Sequence, residues 1–377
     1  MFFNKDKIVL DFGSQYLKLL VGKMTSNGLS LSSSAEAEYA GYMQGEFIEL
    51  DKLGGAIKQV IALAQERYGK PIKELYVGVP AEFCTVKVKC VSQNFEKRIK
   101  IKQRVLNELY FIGDDFSRFT THRVISANLV SAYLDDGKVY TDILGEYSSS
   151  IESKLAYVLA ERKFTDVVES LLKILGIKVI AFASSALAQV KYLFNDKVDE
   201  DAVLFDIGHI TSSVSYIEKG SLIALNEFSL GGGFITADIM DKLNIPFDVA
   251  ENLKKKVVLS FTPQANDFYE VKNKNEIIEV SAITVNNIVR QRIAKIIKSI
   301  YKSLQLNIDL LSDSVSYYIT GGGLCYIKGA KDILSNAINA DIQIVVPDMA
   351  QLDKPNYTSS LGLLYLACEY TNMGIKL

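Results

Sequence analysis

The chain has 377 residues, 49% hydrophobic and 23% charged, which supplies apolar content for several cores and far too much for a disordered chain. Its 42 lysines and arginines are balanced by 44 aspartates and glutamates, so the basic excess that nucleic-acid binders use is missing and no nucleic-acid partner is expected. Two histidines, His122 and His209, exclude a histidine-rich metal site, and the four scattered cysteines form neither a Cys-x-x-Cys pair nor a zinc spacing.

Lys7–Leu10 is an apolar, β-branched run that ends at Asp11-Phe12-Gly13-Ser14, and Tyr16–Gly22 resumes as a strand, which together predict a hairpin. Ser30–Ser34 is predicted as a loop. Leu50–Tyr68 carries a helical period through Leu53, Ile57, Val60, Ile61 and Ala64. Strands are expected at Leu75–Val79 and Phe83–Val91. From Asn94 to Arg162 the texture changes to a Tyr- and Ser-rich segment with several short strands and a helix starting near Lys102–Leu106. Phe164–Leu175 is a helix closed by Gly176, followed by a strand at Val179–Phe182 and a helix at Ala186–Phe194.

The opening pattern then returns. Ala202–Phe205 is a strand ending in Asp206-Ile207-Gly208-His209-Ile210-Thr211, with further strands at Ser213–Ile217 and Leu222–Leu230 around a Lys219-Gly220 turn. A duplicated α/β domain whose two Asp-x-Gly hairpins face one cleft explains the repeat. Helices are expected at Phe234–Leu243 and Phe247–Val257, a loop or small hairpin over 258–280, and a long helix at Val280–Leu304. Val315–Thr320 is a strand ending in Gly321-Gly322-Gly323. Tyr326–Ser335 is predicted helical, Ile342–Val346 a strand and Leu361–Tyr370 a last helix. No apolar run of about 18 residues and no secretory pattern occurs, so a cytoplasmic location is expected.

Glycine after a strand lets backbone N–H groups approach an anion without a Cβ clash. An aspartate beside such a turn cannot hold phosphate, but it can hold Mg²⁺ or a water on Mg²⁺, and that ion bridges phosphates. Asp11 and Asp206 are therefore the candidate Mg²⁺ groups, clamping one metal nucleotide from opposite walls, with Ser14 and Thr211 as hydroxyl donors. Taken singly, each turn is an ordinary turn; order and duplication make the joint signal.

This arrangement resembles the actin, Hsp70 and sugar-kinase superfamily and, within it, the bacterial FtsA family. Asp11–Lys18 resembles the first phosphate loop, with Lys18 at the position of a family lysine, and Asp206–Thr211 the second. Gly231–Ile239 followed by Ala250–Lys254 resembles the FtsA pattern "GG..iT.DI … AE.iK", and Ile319–Leu324 with Ile327–Gly329 the adenosine motif. Ala132–Gly137 and Ile143–Gly145 are similar to a segment of the subdomain inserted in FtsA.

The resemblance implies an α/β, actin-like two-lobe fold of duplicated ribonuclease-H-like domains with an inserted FtsA-type subdomain. The implied divisions are 1–83, 165–200 and 347–377 for the first lobe, 84–164 for the inserted SHS2-type subdomain, 201–235 and 301–346 for the second-lobe core, and 236–300 for its cap. The implied cofactors are ATP and Mg²⁺. Gly13, Ser14, Gln15, Lys18, Gly208 and Thr211 would hold phosphates; Gly231, Gly232, Glu251, Lys254, Gly321, Gly322 and Gly323 would hold the nucleoside. The implied role is a cell-division scaffold that self-associates into filaments and links the C-terminal tail of FtsZ and other divisome proteins at the inner face of the membrane.

Departures from the family pattern shape these expectations. His209 and Ser213 stand where the second loop usually has Gly and Asp; His209 reads either as loop variation or as a phosphate or water contact. Ser185 stands where the family often has an acid, and Gln189 reads either as its substitute or as a helix-surface residue. ATP binding with at most slow hydrolysis is expected, with no confident catalytic residue. The chain stops at Leu377, soon after the last helix, without the family's membrane-binding amphipathic helix, so membrane contact is expected to be indirect or weak, through Phe2 and Phe3. A PilM-like cytoplasmic adaptor of a type IV pilus or secretion complex is the alternative, and a small-molecule kinase of the same fold a third.

Overall fold

The computed structural model describes residues 5–194, 200–273, 276–312 and 314–373, without the side chains of 370–373. Phe2 and Phe3, proposed above as membrane contacts, lie outside the described residues.

Strand β1 (Lys7–Phe12) pairs antiparallel with β2 (Tyr16–Thr25), and β2 with β3 (Gly28–Glu38). On the other side of β1, β6 (Glu74–Val79) and β11 (Lys178–Ser184) add in parallel, giving the order β11-β6-β1-β2-β3. The second sheet repeats the plan. β12 (Ala202–Ile207), β13 (Ser212–Glu218) and β14 (Ser221–Phe228) form the meander, and β17 (Ser316–Thr320) and β18 (Ile342–Ile344) add in parallel beside β12. Both halves thus follow one winding, and the predicted duplication is a property of the fold.

The central strands are apolar on consecutive residues because both faces are covered. Val9 and Leu10 are each fully buried, as are Val203, Leu204 and Phe205. One face of the first sheet packs on α1 (Leu50–Tyr68), whose Leu53, Ile57, Val60, Ile61 and Ala64 are buried. The helix ends at Gly69, at φ 72°, where a left-handed residue satisfies a late carbonyl. The other face packs on α9 (Thr358–Met373), which also contacts α4 (Ser185–Leu193). The second sheet is covered by α5 (Gly232–Leu243), α6 (Phe247–Lys256), α7 (Ala282–Leu306) and α8 (Ala330–Ile338).

Between β6 and α3 (Arg162–Ile174) the chain builds a separate antiparallel sheet, β7-β10-β8-β9. Its strands are β7 (Cys84–Lys100), β8 (His122–Leu134), β9 (Val139–Tyr140) and β10 (Tyr147–Glu161). Helix α2 (Gln103–Gly113) closes its core with Val105, Leu106 and Leu109. A short hairpin, β4 (Tyr42–Met43) with β5 (Glu46–Phe47), precedes α1, and β15 (Phe268–Asn273) pairs with β16 (Glu276–Ser281) before α7.

Three local expectations need correction. Ser30–Ser34 is not a loop but the middle of β3: Ser33, Ala35 and Ala37 alternate inward, and small residues carry no strong apolar signal of it. The 94–162 segment holds two long strands, β8 and β10, whose polar stretches mask their continuity. The helix foreseen from Tyr326 begins at Ala330, because Gly329 takes φ 84° just before it.

Candidate functional site

The two Asp-x-Gly turns have the same construction. In the first, the Gly13 N–H donates to the Tyr16 carbonyl at 3.0 Å; in the second, the Gly208 N–H donates to the Thr211 carbonyl at 3.0 Å. Asp11 ends β1 opposite Lys18, and Asp206 ends β12 opposite Ser213, so the turns are register-equivalent. They also touch: the Ile210 N–H of the second turn donates to Ser14 Oγ of the first at 2.9 Å. Both line one cleft of about 340 Å³, within the range of small-molecule sites.

Asp11 is 3% exposed, and its Oδ1 accepts from Ser185 Oγ at 3.2 Å and Ser359 Oγ at 2.9 Å. Burial pushes its carboxyl above the usual range, against the pull of Lys18 and the two hydroxyls. Asp206 faces the same cleft and accepts from Gln189 Nε2 at 2.7 Å. It too is raised, first by burial and then by the Asp11 charge, against the Gln189 hydrogen bond and Lys18. Lys18, buried beside them, bonds the Asn356 carbonyl and sits 4.6 Å from the centre of the Tyr357 ring. Burial lowers its pKa, while Asp11 and Asp206 oppose that. Two carboxylates thus face one buried ammonium.

That excess of negative charge is what a divalent cation offsets. Among the described residues no group of three or more His, Cys, Asp or Glu converges to hold a bare metal. Two carboxylates fit Mg²⁺ held mainly by waters and substrate phosphates instead.

The glycines bring the loops into backbone contact. The N–H groups of Gly232, Gly233 and Gly323 donate to the carbonyls of Gly208, His209 and Ile207 at 2.9, 2.7 and 2.7 Å. A Cβ on Gly231 would meet the Gly208 and His209 oxygens at 2.5 Å, and one on Gly321, at φ 88°, would meet Asp206 Oδ1 at 2.3 Å. Gly322 instead lies beside Tyr326 and Asn356 on the cleft wall. Deeper along α6, Lys254 pairs with Glu251 at 2.7 Å and donates to Thr236 Oγ1 at 2.9 Å and to the Gly232 carbonyl at 3.2 Å. Glu251 is held below its usual range: burial raises it, but Lys254 and Thr236 outweigh that. Gln15 lines the cleft and donates to Glu38 at 3.3 Å.

Gln189 is 2% exposed and bonded to Asp206, so of its two readings the helix-surface one does not hold. His209 packs its ring 6.2 Å from Phe247, and a Cβ on Gly233 would touch the ring at 2.6 Å. Burial and the Lys254 charge lower its pKa, leaving it neutral. Sequence reading missed Asn356 and Ser359, which line the cleft where α9 begins, and Tyr357, whose ring lies against Lys18; a lone serine or asparagine at a helix start carries no signal of which loop it will meet.

Two sheets of identical winding, paired hairpin turns and a cleft between them define the actin-like ATPase fold. Solved structures of similar fold include the PilM–PilN type IV pilus biogenesis complex, at TM-score 0.65 and 17% identity over 96% of this chain and 98% of that one. MreB 5 of Spiroplasma citri bound to AMPPNP matches at TM-score 0.57 and 11% identity over 98% of this chain and 99% of that one. The sequence resemblance is more particular. Residues 203–362 match the family model of cell division protein FtsA. Cell division protein FtsA of Bacillus subtilis (strain 168) is 21% identical over 97% of this chain and 84% of its own length. That of Streptococcus pneumoniae serotype 2 is 22% identical over 97% and 81%. The chain is thus similar in sequence to cell division protein FtsA across nearly all of its length.

Proposed function

We propose that the chain is an FtsA-like, actin-fold ATP-binding scaffold of cell division. One observation supports this most: two register-equivalent turns, joined through Ser14, present two carboxylates and a single lysine to one cleft. Asp11 and Asp206 would hold Mg²⁺, directly or through its waters, and the ion would neutralise the phosphates. Gly13, Ser14, Gln15, Lys18, Gly208 and Thr211 would face the phosphates. Lys18 is pre-positioned on Tyr357 and would exchange the Asn356 carbonyl for a phosphate oxygen. Glu251 and Lys254, already paired, would present a fixed polar edge to the nucleoside, with Gly231, Gly232 and Gly321–Gly323 keeping the approach clear of side chains.

Hydrolysis would be slow. Ser185 donates to Asp11 and cannot act as a base at neutral pH, and Gln189 spends its amide on Asp206. The nucleotide then acts as a switch on lobe closure rather than as fuel. The lobes would follow the divisions expected from the sequence, with self-association and the FtsZ tail as partners, in the cytoplasm near the division site. A PilM-like adaptor role rests on likeness of fold and is the weaker reading beside the FtsA sequence match.

The test is calorimetric titration of nucleotide-stripped protein with ATP, with and without Mg²⁺, followed by sedimentation with ATP and with an FtsZ tail peptide. Magnesium-dependent ATP binding and peptide-dependent pelleting are expected. Absence of ATP binding would sink the proposal, and binding of a pilus-protein peptide in place of the FtsZ tail would promote the second reading.

A further inference from the structure

A second cavity, of about 430 Å³, opens where the β4–β5 hairpin, the end of β10 and the end of β14 meet. Its wall has no apolar residue: it is formed by Gln44, Gly45, Glu82, Glu161, Lys163, Glu227 and Ser229. Three glutamates against one lysine leave a local charge of −2. Lys163 is already committed, to Glu46 at 3.2 Å and Glu161 at 3.0 Å.

Glu82 is the decisive group. It is 8% exposed, and its Oε1 is fixed by the Gly45 N–H at 2.7 Å and Ser229 Oγ at 3.0 Å. Its Oε2 is buried and accepts no hydrogen bond from any described residue. A buried, unpaired carboxylate oxygen is costly to keep, and a charge-assisted donor relieves that cost. Glu227 lies beside it in both cavities and is pushed up, by partial burial first and then by the Glu82 and Glu161 charges. In the hairpin that supplies Gln44 and Gly45 to the cavity wall, Met43 is 39% exposed, and Ile48, just after it, 48% exposed.

We infer that this cavity receives a basic side chain, an arginine or lysine flanked by apolar residues, from a protein partner. The guanidinium or ammonium donates to Glu82 Oε2 and Glu227, while neighbouring apolar residues cover Met43 and Ile48. Three or more carboxylates converging on a metal are absent among the described residues, so charge complementarity here favours a multi-donor organic cation over a metal ion.

The test uses the full chain and two peptides, acetyl-Leu-Arg-Leu-amide and its citrulline counterpart, which keeps the shape and loses the charge. Amide NMR titration is expected to shift Gly45 saturably with the arginine peptide and to give about tenfold weaker binding with citrulline, the scale of one lost charge-assisted bond. Glu82→Gln and Glu227→Gln should each weaken the arginine peptide several-fold, with unfolding midpoints confirming intact folds. Equal binding of the two peptides, or no loss in both variants, overturns the inference. Saturable shifts from KCl or MgCl₂ that the arginine peptide does not displace overturn it in favour of an inorganic cation.

Discussion

Gly323→Ala offers the sharpest test of how the cleft is assembled. The added methyl would sit 2.3 Å from the Gly208 carbonyl oxygen, 2.7 Å from that of Ile207 and 3.0 Å from the Gly232 nitrogen. All three are backbone atoms, so no side chain can swing aside. Overpacking of this kind costs about 1–3 kcal/mol. Separating these backbone segments also weakens the Gly323-to-Ile207 and Gly232-to-Gly208 hydrogen bonds, each worth about 1 kcal/mol net. A local loss of about 2–4 kcal/mol follows, and 2 kcal/mol corresponds to roughly 30-fold faster exchange of the protecting amides. Native-state hydrogen exchange at Gly232, Gly233 and Gly323 reads this directly. Gly55→Ala is the control, since nothing lies within 4 Å of its Cβ position in α1, and it should be neutral or stabilising by up to about 1 kcal/mol. Unchanged exchange at the three amides in Gly323→Ala would refute the proposed backbone junction.

Other outcomes follow from the same geometry. Burial raises the Asp206 carboxyl above its ordinary 3.8, so its contribution to apo stability is complete below that value and lost as pH rises through the folded one. Asp206→Asn should therefore raise the apo unfolding midpoint more at about pH 7.5 than at about pH 4, while magnesium-dependent ATP affinity is abolished; a midpoint lowered at the higher pH contradicts the buried-charge account. Lys254→Met strands Glu251 and should cost about 3 kcal/mol in urea unfolding, with much of it restored in Lys254→Met/Glu251→Gln. Gln189→Ala should weaken ATP binding several-fold through Asp206, and equal affinity in the two proteins would detach Gln189 from the site. Iodoacetamide at mild alkaline pH should label exposed Cys90 first, since burial pushes Cys84 and Cys325 up to about 12 and Cys368 to about 11. Mass spectrometry finding Cys325 modified first would contradict the closed packing around it.

The duplication was legible because it is written in residue types: an aspartate and a glycine after an apolar strand, twice, in the same order. Asp11, Ser14, Asp206 and Thr211 could be placed together on that basis, whereas Lys18 and the Glu251–Lys254 helix were placed only by the resemblance to the FtsA family pattern. The closure of the site was not legible. Ser185, Ser359 and Asn356 meet Asp11 and Lys18 across hundreds of residues of chain, and only packing of α4 and α9 on the first sheet brings them there. Nor could β3 be seen, since its inward Ser33, Ala35 and Ala37 are small and only weakly apolar. The Glu82 cavity was hidden for a related reason: its walls come from four separate stretches of chain, each of which looks like ordinary polar surface.

The register equivalence of Lys18 and Ser213 has a further consequence. A perfect repeat would place a lysine in each half, two cations against two acids, and the loops would neutralise one another with nothing bound. Serine at 213 breaks that parity. The two turns alone bring two acids against one lysine, and so the joint between them is left without a matching charge of its own. In a fold built on one repeated plan, the departure from symmetry is what would let a structural joint serve as the site where, on the proposed function, an outside ion and its phosphates bind.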